Sequence, residues 1–322
     1  MTKTLTIRLF TFTVLVMCWT ATIHAQNVRI VSSPERLPLP FASVAKISPT
    51  GEYISFSGER FNKLFVADAE GGNPSELCSH AASGWGHTWS PDGQFIALRA
   101  NHHEEKTKRV AIEMIDVANK IVLPATDWLS SRARLSLPEW SATNVFSYST
   151  SSGIQVRRAE LDDSTVTIAT VEAGQISLSL WSVDALEVRD GMKLQSVRPF
   201  RQSRQVLSSA WSPERNISAV EFSGRPSLYV ISEDGKTPHL IDAKGEYPCW
   251  INDRYVVYMV TEDDGYKILS GDIWIADKEG KMKKNLTEEL NEIALFPSAS
   301  KDGTIVFTTE SGAVYKMKVA VE

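Results

Sequence analysis

The sequence predicts an all-β repeat fold, a seven-bladed β-propeller of four-stranded antiparallel blades, with six blades as the alternative. Three observations predict it. A turn built on Trp-Ser recurs along the chain, clearest as Trp89-Ser90-Pro91-Asp92-Gly93 and Trp211-Ser212-Pro213-Glu214. From Ser48 to Ser300 its occurrences lie about 42 residues apart on average, the length of one blade. Between the turns, apolar and polar residues alternate at period two, in runs rich in β-branched and aromatic side chains.

Residues 1–25 read as a signal peptide outside the fold. Lys3 and Arg8 give a positive start, Leu9 to Trp19 is a short apolar stretch broken by threonines, and Ile23-His24-Ala25 resembles a cleavage site. The stretch falls short of the about 20 apolar residues of a spanning helix. The expectation is a periplasmic or secreted chain cleaved after Ala25, with no stable membrane insertion afterwards. Residues 26–43 follow as an N-terminal closing strand and linker, and 44–322 as the propeller.

Seven turns mark the repeats: Ser48-Pro49-Thr50-Gly51, the Trp89 turn, Trp140-Ser141-Ala142-Thr143, Trp181-Ser182-Val183-Asp184, the Trp211 turn, Trp250-Ile251-Asn252-Asp253 and Ser300-Lys301-Asp302-Gly303. In the best-formed ones proline presets φ, aspartate tolerates the second central position and glycine accepts the left-handed conformation, so two antiparallel strands are joined tightly. The tryptophans hold one position per repeat, which implies packing between blades. A second hairpin recurs within the repeat, an apolar strand running into an acidic, glycine-ended turn: Leu64 to Gly72, Leu228 to Gly235 and Ile273 to Gly280. Two hairpins make four strands. The last repeat, Thr304–Glu310 and Ala313–Ala320, stops a strand short, and Asn27–Ser33 is a strand without a partner. Pairing the two closes the ring and leaves no open edge. The step from Ser182 to Ser212 is short for a blade, and it keeps six blades open.

The succession Trp-Ser-Pro-Asp-Gly, apolar strand, then a strand ending in Asp-x-x-Gly-Gly, as in Asp68 to Gly72, resembles the WD-repeat-like repeat of TolB-type propellers. It is more distantly similar to the tricorn and prolyl-peptidase propellers. The resemblance covers roughly Val44 onwards and is strongest in repeats one, two, five and six. It implies a surface for a protein partner. The peptidase activity does not carry over, because no Gly-x-Ser-x-Gly pentapeptide is present. Nor does the additional α/β domain of TolB, since only residues 26–42 precede the first repeat.

The chain carries 34 basic and 39 acidic residues, a net charge of −5. Loss of Lys3 and Arg8 makes it more negative still. That balance argues against nucleic acid and against an anionic membrane surface as partners. Cys78 and Cys249 remain after cleavage, on repeats expected to be non-adjacent, and read as two free thiols.

The strands entering the turns should line the channel, and their only notable ionisable side chains are Lys46, His87, Glu139 and Cys249. That is too few donors for zinc or calcium, so no catalytic residue, cofactor or metal is implied. His102-His103-Glu104-Glu105 is rich in ligand atoms but reads as a solvated hairpin tip. Glu262-Asp263-Asp264-Gly265 lacks the later glutamate of a calcium loop and reads as a polar turn. One rim should carry the short turns. The other carries Cys78–His87, Ala100–Arg109, Thr126–Leu137, Thr261–Gly271 and Thr287–Phe296, and recognition concentrates on such long loops. Trp85, His87, His102, His103, Trp128, Arg132 and Arg134 are therefore the candidate contacts for a protein partner. The alternatives are a small enzyme acting on a sugar or lactone at the channel mouth, and a carbohydrate-binding propeller.

Overall fold

The computed structural model describes residues 28–104, 107–133, 135–150, 153–160, 164–172, 186–189, 193–196, 206–214, 217–222, 227–232 and 239–322. The signal segment, the Trp181 turn and Arg134 lie outside them.

The chain is all β. After β1 (Val28–Arg36), blade 1 is β2 (Ala45–Ile47), β3 (Tyr53–Ser57), β4 (Leu64–Asp68) and β5 (Ser75–Cys78). Blade 2 is β6 (Thr88–Trp89), β7 (Phe95–Glu104), β8 (Thr107–Asp116) and β9 (Ile121–Pro124), with β10 (Leu129–Ser130) added to the far end of β8. Blade 3 is β11 (Glu139–Ala142), β12 (Val145–Thr150), β13 (Gly153–Glu160) and β14 (Ser164–Glu172). A two-stranded hairpin follows, β15 (Leu186–Arg189) and β16 (Lys193–Ser196). Blade 4 is β17 (Val206–Trp211), β18 (Ile217–Phe222), β19 (Leu228–Ser232) and β20 (His239–Asp242), and blade 5 is β21 (Gly245–Trp250), β22 (Tyr255–Asp263), β23 (Ile268–Asp277) and β24 (Lys283–Asn285). Blade 6 holds β25 (Ala294–Ala299), β26 (Thr304–Thr309) and β27 (Val314–Val321), and β1 pairs antiparallel with β27 to complete it.

The described residues thus form six blades, the alternative count, rather than seven. Of the stretch expected to hold the additional blade, the described residues are the β15–β16 hairpin. The N-terminal closing strand stands where expected and runs further, to Arg36. Two of the five expected loops are not loops: Ala100–Arg109 and Thr261–Gly271 are the ends of the long hairpins β7–β8 and β22–β23. Their polar side chains stand on strands that project beyond the packed blades, where alternation no longer reports burial.

The turn chemistry works as its residues dictate. The buried Ser90 hydroxyl donates to Asp92 Oδ1 at 2.6 Å and accepts from the Phe95 N–H at 2.9 Å, while Gly93 takes φ 74°. Ser300, Asp302 and Gly303 repeat it, with a 2.6 Å Ser–Asp bond and φ 84°. At the second hairpin, Asp68 Oδ1 accepts from the Glu70 and Gly72 N–H groups at 3.0 and 2.7 Å.

The core lies between neighbouring sheets. Leu64, Val66 and Leu77 of blade 1 pack on Ile96, Leu98 and Ile115 of blade 2. Equivalent clusters join blades 2 and 3, 4 and 5, 5 and 6, and 6 and 1. Of the repeated tryptophans, Trp211 is partly buried outside the clusters and Trp181 lies outside the described residues, while Trp89, Trp140 and Trp250 sit in these seams, as expected. Each indole Nε1 donates to a carbonyl of the preceding blade's inner strand: Trp89 to Lys46 at 3.3 Å, Trp140 to Thr88 at 3.0 Å and Trp250 to Ala210 at 2.9 Å. Among the described residues no helix is long and apolar enough to cross a membrane.

Candidate functional site

The inner strands β2, β6, β11, β17, β21 and β25 line one cavity of about 440 Å³. Strand period two puts the residues two and four before each turn position on the same side, and all twelve face the cavity. The deeper layer is Lys46, Thr88, Glu139, Ala210, Cys249 and Ser298. The layer nearer the long-loop rim is Val44, Gly86, Leu137, Ser208, Tyr247 and Phe296, and Phe61, Trp85 and Leu207 extend it outward. The channel mouth on that rim is therefore an apolar, largely aromatic collar.

Two prolines build the collar. Pro248 and Pro297 have no N–H to give the ladder, and the strand register shifts there, between Glu246 and Cys249 and between Leu295 and Ser298. The preceding Tyr247 and Phe296 take φ 48° and 53°, left-handed positions that are strained for bulky side chains. Their rings meet edge to face, with centroids 4.9 Å apart. Surrounding contacts hold the strain: the Tyr247 N–H donates to Glu221 Oε2 at 3.1 Å and the Phe296 N–H to Met259 Sδ at 3.4 Å. Gly86 takes φ 67° at the equivalent place, where a Cβ would stand 2.4 Å from Leu137 Cδ1. Its missing side chain lets Leu137 fill the ring.

Beneath the collar, Lys46 Nζ donates to the His87 carbonyl at 2.6 Å. Enclosure in the channel lowers this amine to about 8, with Cys249 opposing the shift. Burial pushes the Cys249 thiol up to about 12, so it stays protonated and unreactive at neutral pH. Ser209 Oγ donates to Glu139 Oε1 at 3.4 Å, joining blade 4 to blade 3.

The expected contact residues fall into different surroundings. Trp85 stands edge to face on Phe61, centroids 4.7 Å apart, at the collar. Trp128 lies between two imidazoles, His80 at 5.0 Å and His102 at 5.5 Å, and its carbonyl accepts from Arg109 at 3.2 Å. His103 is exposed near the β7–β8 tip, opposite Lys108. Arg132 is exposed in the short 3-10 turn Ser131–Ala133. His87 does not face the rim, because it is 0% exposed. Its Nδ1 donates to the Gly84 carbonyl at 2.9 Å, so its Nε2 accepts from Ser55 Oγ at 2.8 Å, and Ser55 Oγ in turn accepts from Trp89 Nε1 at 2.9 Å. Burial, with Lys46 nearby, pushes its pKa down to about 3. It is a brace under Trp89.

Two features escape the sequence reading. The collar is signalled by Leu137-Pro138, Tyr247-Pro248 and Phe296-Pro297 at one repeat position. The other is a cluster of Cys78, His80 and Glu113 across the seam of blades 1 and 2: Cys78 Sγ to His80 Nδ1 3.5 Å, Cys78 Sγ to Glu113 Oε2 3.8 Å, and His80 Nδ1 to Glu113 Oε2 3.1 Å. A Cys-x-His pair and a lone glutamate inside the apolar run Val110 to Ile115 are its only sequence traces.

No family model matches the chain, and no curated protein matches its sequence. Solved structures do resemble it. A chain of the mitotic checkpoint complex superposes with TM-score 0.57 at 14% identity, covering 98% of this chain and 99% of that one. The β-propeller domain of Myceliophteria thermophila Cps50 (Swd1) does so with TM-score 0.54 at 9% identity, covering 91% and 100%. The putative TolB from Agrobacterium tumefaciens follows at TM-score 0.44 and 14% identity, covering 88% and 91%. The chain has a β-propeller fold. At these identities the likeness is one of fold.

Proposed function

We propose that the chain is an exported, non-catalytic scaffold that binds a protein partner through its long-loop rim, with the aromatic collar at the centre of the contact. The collar carries this reading: two aromatic rings, packed on the seam of blades 5 and 6, are kept in strained backbone conformations where they also line the mouth of the channel. Backbone strain retained at a surface opening is a mark of recognition sites. Trp128 and the exposed Arg132 extend the surface outward with side chains of the kind enriched in binding hot spots. Export rests on residues 1–25, and the first residue of the mature protein is expected to be Gln26.

The test is affinity capture from the native extracytoplasmic fraction with wild-type protein, Trp85→Ala and Trp128→Ala, and Glu70→Ala as a control on the opposite rim. Loss of the partner with the two tryptophan variants alone supports the reading; equal capture by all four overturns it. The second reading is a channel-mouth enzyme acting on a sugar or lactone, and it is favoured by Lys46, an amine partly neutral near pH 8, and by Glu139 one layer below the collar. Turnover lost in Lys46→Met, with capture unchanged, would select it.

A further inference from the structure

We propose that Cys78, His80 and Glu113 form a zinc site that clips blade 1 to blade 2. Cys78 ends β5, His80 follows it in the connection to blade 2, and Glu113 sits mid-strand on β8, paired with Leu98 and Pro124. Glu113 is only 5% exposed and belongs to the face of β8 that meets blade 1, beside Ile115. A carboxylate placed among apolar side chains is costly unless a cation or strong donors meet it. The groups that meet it are a thiol and an imidazole, which with a carboxylate make a common zinc ligand set.

The spacing fits the ion. Zinc bonds of about 2.3 Å to sulfur, about 2.0–2.1 Å to nitrogen and about 2.0–2.2 Å to oxygen, at tetrahedral angles, separate sulfur from either light atom by about 3.5–3.7 Å and nitrogen from oxygen by about 3.3–3.5 Å. The observed separations are 3.5, 3.8 and 3.1 Å, so sub-ångström adjustment seats the metal. A His–Glu hydrogen bond alone needs no thiol at those distances from both partners. The Ser83 hydroxyl donates to the His80 carbonyl at 2.8 Å, and the Trp128 edge packs on the His80 ring, which holds the connection in place. Outer supports of this kind orient metal ligands. Cys78 and Glu113 are buried, whereas the His80 side chain is 34% exposed, so the fourth position opens toward solvent and takes water. On binding, the Cys78 sulfur gives its proton to solvent, the His80 ring gives up the Nδ1 proton and keeps one on Nε2 by exchange with solvent, the Glu113 carboxylate and the freed Nδ1 lone pair complete the set, and zinc stays Zn²⁺.

The experiment loads reduced, metal-free mature protein with Zn²⁺ against a competing chelator, and with Co²⁺ as a spectroscopic substitute. The expected result is one equivalent of zinc, a higher thermal midpoint with metal, and intense tetrahedral cobalt bands with a thiolate-to-cobalt charge-transfer band. Cys78→Ser and Glu113→Gln should bind at least on the order of a hundredfold more weakly, beyond the usual loss for an outer support, while Cys249→Ser binds as wild type. Cobalt bound without the thiolate band, no stoichiometric zinc, or full binding by Cys78→Ser would each overturn the site. The wild-type cobalt spectrum decides the matter even if a ligand variant does not fold.

Discussion

The indole Nε1 of Trp140 donates to the Thr88 carbonyl at 3.0 Å, so a side chain of blade 3 takes an acceptor from the innermost strand of blade 2. Trp89 and Trp250 do the same to their preceding blades. Each tryptophan both fills a seam and satisfies a carbonyl at the channel wall, which explains why one residue type recurs there. Trp140→Phe keeps most of the packing and loses the bond, and should cost about 1 kcal/mol. Trp140→Ala opens the seam and should cost about 3–5 kcal/mol. Denaturant unfolding of the two variants checks the difference, and equal losses would mean that the hydrogen bond contributes nothing.

His87 makes stability depend on acid. Its folded value, about 3, lies below the unfolded value of 6.5, so the unfolded chain binds the extra proton between them. Stability from this residue is complete above pH 6.5 and is lost as pH falls toward 3, at up to about 1.4 kcal/mol per pH unit. His87→Gln, compared with wild type by thermal melting across this range, should flatten that slope.

Closure of the last sheet rests on β1. Its removal leaves the β27 edge bare and uncovers Met317 and Val319, both buried in the seam of blades 5 and 6. A protein lacking residues 27–33 should melt well below the full mature chain, and an unchanged midpoint would show that β1 is dispensable.

The strain and the rings of the collar can be separated. Phe296→Asn accepts the left-handed backbone more readily and removes the ring, so stability should change by no more than about 1 kcal/mol. Partner affinity should fall by roughly thirtyfold, the effect of removing an anchor worth about 2 kcal/mol. Charge reversal at Arg132 should weaken binding in the same direction, and changes at Glu279 on the opposite rim should do little. Calorimetry on the variants, with captured partner, tests both halves.

Both thiols are free, Cys78 at the outer edge of blade 1 and Cys249 at the channel wall of blade 5. Intact-mass analysis without reductant should find no link between their peptides. Burial raises them to about 11 and about 12, so alkylation of the metal-free native protein at neutral pH should be slow and should accelerate on unfolding.

What could be read from the chain was what local chemistry dictates. Ser90-Pro91-Asp92-Gly93 makes its own turn whatever surrounds it, and an unpaired strand at each extreme implied the pairing of β1 with β27. The blade count stayed open between seven and six where that chemistry is absent: Trp181-Ser182-Val183-Asp184 lacks the Pro-Asp-Gly turn, and the repeat it begins is short. His87 looked like a rim contact because nothing nearby in sequence reveals that Ser55, from another blade, meets its ring. Glu113 and His80 stand 33 residues apart and come together only through blade packing. Trp85 lines the mouth with Phe61 against it, and the Tyr247–Phe296 pair of the same collar depends on two prolines whose effect is to break a ladder.

The pairing of β1 with β27 also sets the order of events when the protein is made. Residues 28–36 emerge early, yet their neighbours in the sheet are residues 314–321, so the first strand must wait for nearly the whole chain. At synthesis rates of about 5–20 residues per second that interval is tens of seconds or less. Until it ends, blade 6 lacks an outer strand and blade 1 lacks the face against which Ile47 and Phe56 pack. A nascent chain can therefore assemble seams between consecutive blades but not a ring, and it remains open to chaperones and to passage through a narrow pore until its last strand is delivered.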